Sequence, residues 1–121
     1  MSTNRKTLAT LALAAGLAGL TGGALAGGNV ENGKKVATEH NCASCHGANL
    51  NKPIDPTYPK LAGQHYDYLV QALRAYQIEN SPLVGRQNAI MKAQTQPLKH
   101  SEIDDLAAYI SSLPGDLVLE K

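Results

Sequence analysis

The sequence predicts an all-α domain. After residue 28, three segments carry apolar residues at the three- and four-residue spacing of an amphipathic helix. None of them shows the strict alternation that is typical of a half-buried strand. The stretches between them, 47–63 and 81–100, are irregular, and the first is rich in proline and asparagine, which indicates an ordered loop. No strand is needed anywhere.

The first helix is predicted from about Val30 to Cys45. Val30, Gly33 and Ala37 share one face at i, i+3 and i+7 spacing. A glycine inside a helix costs about 1 kcal/mol relative to alanine. Either another helix approaches closely at Gly33, or the glycine is incidental and lies near a frayed end.

The second helix is predicted from about Gln64 to Glu79, and a short helix is expected around Asn88 to Gln94. Ser101 and Asp104 resemble a capping box that begins the last helix, and Pro114-Gly115 ends it. The buried stripe of the second helix is expected to consist of Tyr66, Leu69, Val70, Leu73 and Tyr76. That of the last helix is expected to consist of Ile103, Leu106, Ala107, Ile110 and Leu113, with Tyr109 adjoining.

The most informative motif is Cys42-Ala43-Ser44-Cys45-His46. Two cysteines three apart, followed at once by histidine, form the attachment pattern of a c-type haem. On one turn of a helix both sulfurs lie on one face, where each can form a thioether with the porphyrin edge. His46 then lies beneath the macrocycle and offers a nitrogen to the iron. The motif therefore predicts one covalently bound haem c.

Three other interpretations of the two cysteines compete with haem attachment. A thioredoxin-like redox pair needs a preceding strand, and no strand-like run lies upstream. A zinc site needs four well-placed ligands, and adjacent Cys45 and His46 cannot easily face one tetrahedral ion. A disulfide between Cys42 and Cys45 closes a very small loop and stabilises little.

Residues 1–26 have the pattern of a cleaved secretory signal peptide. Arg5 and Lys6 precede an apolar run, and Ala24-Leu25-Ala26 is a small-residue cleavage site. The apolar run is short and interrupted by glycine, so a permanent membrane anchor is the weaker interpretation. Export agrees with the attachment motif, because c-type haem is attached outside the bacterial cytoplasm. The predicted location is the periplasm.

Residues 27–121 are expected to form a single domain. Without Arg5 and Lys6, this domain contains nine Lys/Arg residues and ten Asp/Glu residues. This balance provides no basic surface for nucleic acid. The domain has five tyrosines but no phenylalanine or tryptophan. So small an apolar core is marginal for a chain of this length. We therefore expect the haem to supply apolar bulk and the apo protein to fold poorly.

The sixth position of the iron decides the function. Once Met1 leaves with the signal peptide, Met91 is the remaining methionine, and it lies in the second irregular stretch. A thioether sulfur there closes the iron and raises its reduction potential. The alternatives are Met91 as a core residue and a second histidine. His40 is on the wrong side for a second ligand, and His65 and His100 are expected at the surface.

The chain resembles the small class I c-type cytochromes of bacteria, in particular the cytochrome c4/c5/c553-like group. The resemblance covers nearly all of the predicted mature chain. It is carried by Cys42-Ala43-Ser44-Cys45-His46-Gly47, Pro59-Lys60-Leu61-Ala62-Gly63-Gln64, Tyr68-Leu69, Met91 and Ile103-Asp104-Asp105-Leu106-Ala107-Ala108-Tyr109-Ile110. The resemblance implies a class I cytochrome c fold of three to five helices around one covalently attached haem. It also implies the monohaem form, because the chain has one attachment motif.

The resemblance further implies the roles of particular residues. His46 is expected as the proximal iron ligand and Met91 as the distal ligand. A proline carbonyl is expected to accept the hydrogen of the proximal imidazole, with Pro59 favoured and Pro53 as the rival. Gly33 is expected where the first and last helices cross, so that Tyr109 can approach.

The function expected from these features is that of a periplasmic carrier of single electrons between redox proteins, not an enzyme. The protein is expected to be a monomer that contacts its partners transiently. Two alternatives remain open. One is a haem-bearing electron-transfer subunit of a larger oxidoreductase complex. The other, if Met91 does not bind the iron, is a ligand-binding or peroxidatic haem protein.

Overall fold

Helices form the framework of the structure, a computed structural model that describes residues 27–79, 81 and 83–116. Within these residues there are five helices and no strand, which confirms the all-α prediction. They are α1 (Val30–Glu39), α2 (Ala43–His46), α3 (Tyr66–Gln77), α4 (Ala89–Thr95) and α5 (His100–Ser112). None of these helices has the length and apolar character needed to cross a membrane. The predicted signal peptide, 1–26, lies outside the described residues.

The most extensive helix contact joins α1 to α5, and it is centred on Gly33. A Cβ atom on Gly33 would lie 1.9 Å from the carbonyl oxygen of Asp105 and 2.7 Å from Cβ of Tyr109. Close approach of another helix is therefore the correct explanation of this glycine. Val30, predicted on the buried face, is 40% exposed at the start of α1, and Val36 is buried instead.

The single first helix predicted over 30–45 is wrong, because the chain turns between α1 and α2. Asn41 has φ of +50°, in the left-handed region. The amide of Cys42 donates to the carbonyl of Ala37 (3.0 Å) and that of Asn41 to Thr38 (3.1 Å). These two bonds are the pattern of a Schellman motif, in which a left-handed residue ends a helix. The attachment motif thus begins a new short helix.

Helix α3 connects the rest of the helical framework to α5. Helix α3 contacts both α5 and α4. The predicted stripes are largely correct: Leu69, Val70 and Leu73 of α3 are buried, as are Ile103, Leu106, Ala107 and Ile110 of α5. The predicted capping box at Ser101 and Asp104 is wrong by two residues, because the N-cap residue of α5 is Lys99. Helix α5 begins at His100, and the Glu102 carboxylate accepts from the backbone N–H of Lys99 (2.7 Å), while Asp104 pairs with Arg74.

Candidate haem-binding site

The two cysteines stand at one wall of a shared cavity. Cys42 occupies the N-cap position of α2, and Cys45 is the third residue of this helix. Both are half-buried free thiols, and both line the cavity. Burial raises the pKa of the Cys42 thiol, so this sulfur is held in its neutral form. The short helix therefore presents two unpaired sulfurs to one space.

His46 follows Cys45 and is nearly buried, with 6% of its surface exposed. Its Nδ1 lies 2.9 Å from the carbonyl oxygen of Pro59. A carbonyl oxygen only accepts, so Nδ1 carries the hydrogen and donates it. An imidazole that donates from Nδ1 to a carbonyl can bind a metal through Nε2. This contact is the one expected of Pro59, and no such bond joins His46 to Pro53.

A tight loop brings the Pro59 carbonyl to His46. Leu50 has φ of +54° and is almost completely buried. Its carbonyl oxygen accepts from the amides of Leu61 (2.7 Å) and Ala62 (3.0 Å), just beyond Pro59. Gly47 has φ of +87°, and a Cβ atom there would lie 2.1 Å from the carbonyl oxygen of Lys52. The loop therefore depends on two residues with positive φ, Gly47 directly after the motif and Leu50 three residues further on.

Met91 reaches the same cavity from α4. The side chain of Asn88, the N-cap residue, accepts from the backbone N–H of Met91 at 2.9 Å and so begins the helix. Met91 is half-buried, packs against the core and lines the cavity that His46 also lines. The structure thus brings together all four predicted side chains, two thiols, an imidazole and a thioether.

The cavity has a volume of about 290 Å³. Besides the four side chains described above, its lining includes the apolar residues Leu61, Leu69, Leu73, Leu98, Leu106 and Ile110. Two thiols, an imidazole and a thioether within an apolar wall are the side chains that would suit covalent attachment of a haem and binding of its iron. In the described part of the chain, no group of three His, Cys, Asp or Glu residues is arranged to hold a bare metal ion.

The other histidines and the basic side chains contribute three residues to the cavity lining: His40, Lys60 and Arg86. His65 and His100 are exposed, while His40 lines the cavity beside Cys42, on the segment that leads to His46. Most of the basic side chains near the cavity are already engaged within the chain. Lys60 pairs with Asp116 (2.5 Å), Arg74 with Asp104 (2.8 Å) and Lys92 with Glu79 (3.0 Å), and Arg86 stacks on Tyr68 and Tyr76.

An all-helical fold and a cysteine-cysteine-histidine motif at an apolar cavity define a haem protein of the c type. The cytochrome c family model matches residues 30–114, and the chain belongs to the cytochrome c family. It is therefore a c-type cytochrome. The predicted resemblance to small class I c-type cytochromes, and among them to the c4 type, is confirmed.

Three comparisons show the similarity of this chain to known cytochromes. The chain is 39% identical over 104 residues to cytochrome c4 of Stutzerimonas stutzeri, covering 82% of this chain and 48% of that one. It is 37% identical over 71 residues to cytochrome c-554(548) of Halomonas halodenitrificans, covering 59% and 82% respectively. The crystal structure of reduced recombinant cytochrome c4 from Pseudomonas stutzeri aligns with a TM-score of 0.61 and 34% identity, covering 74% of this chain and 48% of that one. The chain spans about half the length of the cytochromes c4 that it matches.

Sequence reasoning missed the residues that support the site from outside. The Schellman turn at Asn41 had a local signal, since asparagine is the usual alternative to glycine in the left-handed position. Leu50 gave none, because leucine does not favour a positive φ. The contacts of Gln77 and Arg86 with distant residues also cannot be predicted from the spacing of residues along the chain.

Proposed function

We propose that this protein is a monohaem electron carrier of the periplasm. One haem is bound through thioethers of Cys42 and Cys45, with His46 as the proximal ligand and Met91 as the distal ligand. The observation that carries the proposal is the bond from His46 Nδ1 to the Pro59 carbonyl (2.9 Å), because it leaves Nε2 free toward the cavity that Met91 also lines.

This ligand set favours a carrier over an enzyme. When the chain supplies both axial ligands, no position remains on the iron for a substrate. The bond to Pro59 fixes the plane of the imidazole and raises its basicity, so the ring needs no reorientation when an electron moves. Imidazole and thioether both bind reduced and oxidised iron, which keeps structural change between the two states small.

The periplasmic location rests on residues 1–26 and on the chemistry of the motif. The apolar run and Ala24-Leu25-Ala26 have the features of an exported precursor. The resulting domain is residues 27–121. N-terminal sequencing of the protein from the periplasmic fraction is expected to begin at Gly27. A protein that keeps its first residues and sediments with membranes would contradict this location.

Partner contacts are proposed to be transient and largely uncharged. Lys60, Arg74, Lys92 and Arg86 are held by acidic or aromatic side chains of the same chain. Apolar side chains are instead exposed on the loops and on α4: Ile54 (71%), Leu83 (93%), Val84 (64%) and Ile90 (52%). Such contacts between redox proteins bury less than about 1,200 Å². The association rate is therefore expected to depend weakly on ionic strength.

The ferric spectrum of the haem-loaded protein tests the ligand set. Ferric wild type is expected to show the weak long-wavelength band of sulfur-to-iron coordination, and the ferrous protein is expected to bind carbon monoxide slowly. Met91→Ala is expected to lose the band, bind carbon monoxide rapidly and have a lower reduction potential. Ile90→Ala is the matched control, because Ile90 is the neighbouring cavity residue without sulfur, and it should retain all three properties. Wild type without the band, or Met91→Ala with an unchanged spectrum, would show that Met91 is not the ligand.

A further inference from the structure

Helix α4, which carries Met91, is too short to hold its own position. It has seven residues, whereas isolated helices shorter than about 12–15 residues are marginal in water. Methionine is unbranched and has three rotatable side-chain bonds, so its sulfur is not fixed by the side chain itself. Contacts with the rest of the chain must therefore hold the sulfur in place.

The most directional of these contacts comes from Gln77, the last residue of α3. Its Nε2 donates to the carbonyl oxygen of Thr95 (2.7 Å) and to that of Leu98 (2.8 Å). Thr95 ends α4, and Leu98 follows it by three residues. The last carbonyls of a helix lack partners within the helix, so the amide group of Gln77 satisfies the Thr95 carbonyl at the end of α4. The same amide group also satisfies the Leu98 carbonyl in the segment that follows α4. In return, the side chain of Gln96 donates to the Gln77 carbonyl (3.3 Å).

Burial of the two acceptor residues increases the free-energy cost of losing these hydrogen bonds. Thr95 is 1% exposed and Leu98 is 6% exposed, so water cannot readily replace the amide of Gln77. A buried acceptor that loses its partner carries the full cost of its desolvation. The ion pair of Lys92 with Glu79 also joins this region to the end of α3, but its side chains are 41% and 63% exposed, and such pairs contribute little.

We propose that Gln77 is a positioning residue for the sulfur of Met91. Met91 precedes Thr95 by four residues, about one helical turn, so both move together if α4 tilts or slides along α3. By holding Thr95 and Leu98 against the end of α3, Gln77 keeps Met91 at the cavity. Gln77 itself is not among the cavity-lining residues, so its effect passes through the backbone of α4. The proposal rests on Met91 being the distal ligand.

The experiment uses the haem-loaded protein and three variants. Gln77→Met keeps the length of the side chain and removes the donor, whereas Gln77→Glu places a carboxylate against two carbonyl oxygens. Gln71→Met, on the exposed surface of the same helix, is the matched control. The measurements are the long-wavelength band of the ferric protein, the rate of carbon monoxide binding to the ferrous protein, and hydrogen exchange of the amides of α4 compared with those of α5.

Gln77→Met and Gln77→Glu are expected to weaken the band and to bind carbon monoxide at least about tenfold faster than wild type, with Gln77→Glu the more affected. Exchange should accelerate in α4 and stay unchanged in α5, and Gln71→Met should match wild type. An unchanged band and rate in Gln77→Met would overturn the proposal, as would equal acceleration of exchange in both helices. If Gln77→Glu does not fold, Gln77→Met alone decides. A wild-type protein without the band would instead refute the ligand assignment.

Discussion

Substituting Gly33 by alanine tests how the main helix contact is built. The new Cβ would lie 1.9 Å from the Asp105 carbonyl oxygen and 2.5 Å from the carbon that bears it. Both atoms belong to the backbone of α5, so no side-chain rotation relieves the clash and the two helices must separate. Overpacking of a core costs about 1–3 kcal/mol, and the rigid neighbour places this site at the upper end.

Alanine also favours the helix over glycine by about 1 kcal/mol, which offsets part of this cost. The expected net loss is therefore about 2 kcal/mol in the free energy of unfolding. For a domain of this size, that corresponds to a decrease in Tm of about 8–16 °C.

Thermal unfolding of the haem-loaded protein, followed by far-UV circular dichroism, measures this loss. Asn32→Ala is the control, because Asn32 is exposed on the same helix and its substitution changes helix propensity without a clash. That variant should be as stable as wild type or slightly more stable. A Gly33→Ala protein with the stability of wild type, or above it, would refute the argument that close approach of α5 requires the glycine.

Three further predictions concern the turn, the C-terminal ion pair and the cofactor. Asn41→Ala is expected to lower the free energy of unfolding by about 1 kcal/mol, because Asn41 has a left-handed backbone conformation that alanine disfavours. Asn41→Gly should leave the free energy of unfolding unchanged. Equal denaturant midpoints for the two variants would contradict this prediction. The hydrogen bond from Lys60, and after it the one from Asn51, lowers the pKa of the Asp116 carboxyl below its ordinary value of 3.8. The ionised carboxylate therefore stabilises the fold at pH values above 3.8, and this stabilisation is lost as the pH falls through the lowered pKa of the folded protein. Asp116→Asn should therefore have a slightly lower Tm at neutral pH, and the difference should vanish in acid; a difference that persists there would show another cause. The haem-free protein should lack a cooperative unfolding transition, and a wild-type-like calorimetric peak would contradict the expected role of the haem in the core.

Local patterns predicted the helices well where tertiary contacts agreed with them. The short helix expected around Asn88 to Gln94 is Ala89–Thr95, because an asparagine N-cap is a local signal that the chain then uses. The single helix predicted over 30–45 is wrong, since periodicity does not register one left-handed residue at position 41. The capping box at Ser101 is wrong as well, because Asp104 forms an ion pair with Arg74 of another helix.

In the candidate site, too, local patterns predicted some features, whereas others depend on contacts between distant residues. His46, Cys42 and Cys45 are adjacent in the chain, so their spacing alone indicates the chemistry they suit. Pro59 was favoured only through resemblance, and its contact with His46 depends on the left-handed Leu50, for which leucine gives no signal. Gln77 lies 18 and 21 residues from the two carbonyls that it binds, and no local pattern connects residues so far apart.

The amino-acid sequence by itself determined the all-helical class and the chemistry of the attachment motif, because these follow from spacing within one or two helical turns. It also determined the family, because the resemblance is carried by short motifs distributed along the chain. It also pointed to Gly33 as a place of close approach, since a glycine within a helix needs a reason. The tertiary structure alone decided which helix approaches Gly33, where the chain turns before Cys42, and how Pro59 and Gln77 support the site. These features depend on contacts between residues distant in the chain, and such contacts are selected by packing of the whole domain rather than by local conformational preference.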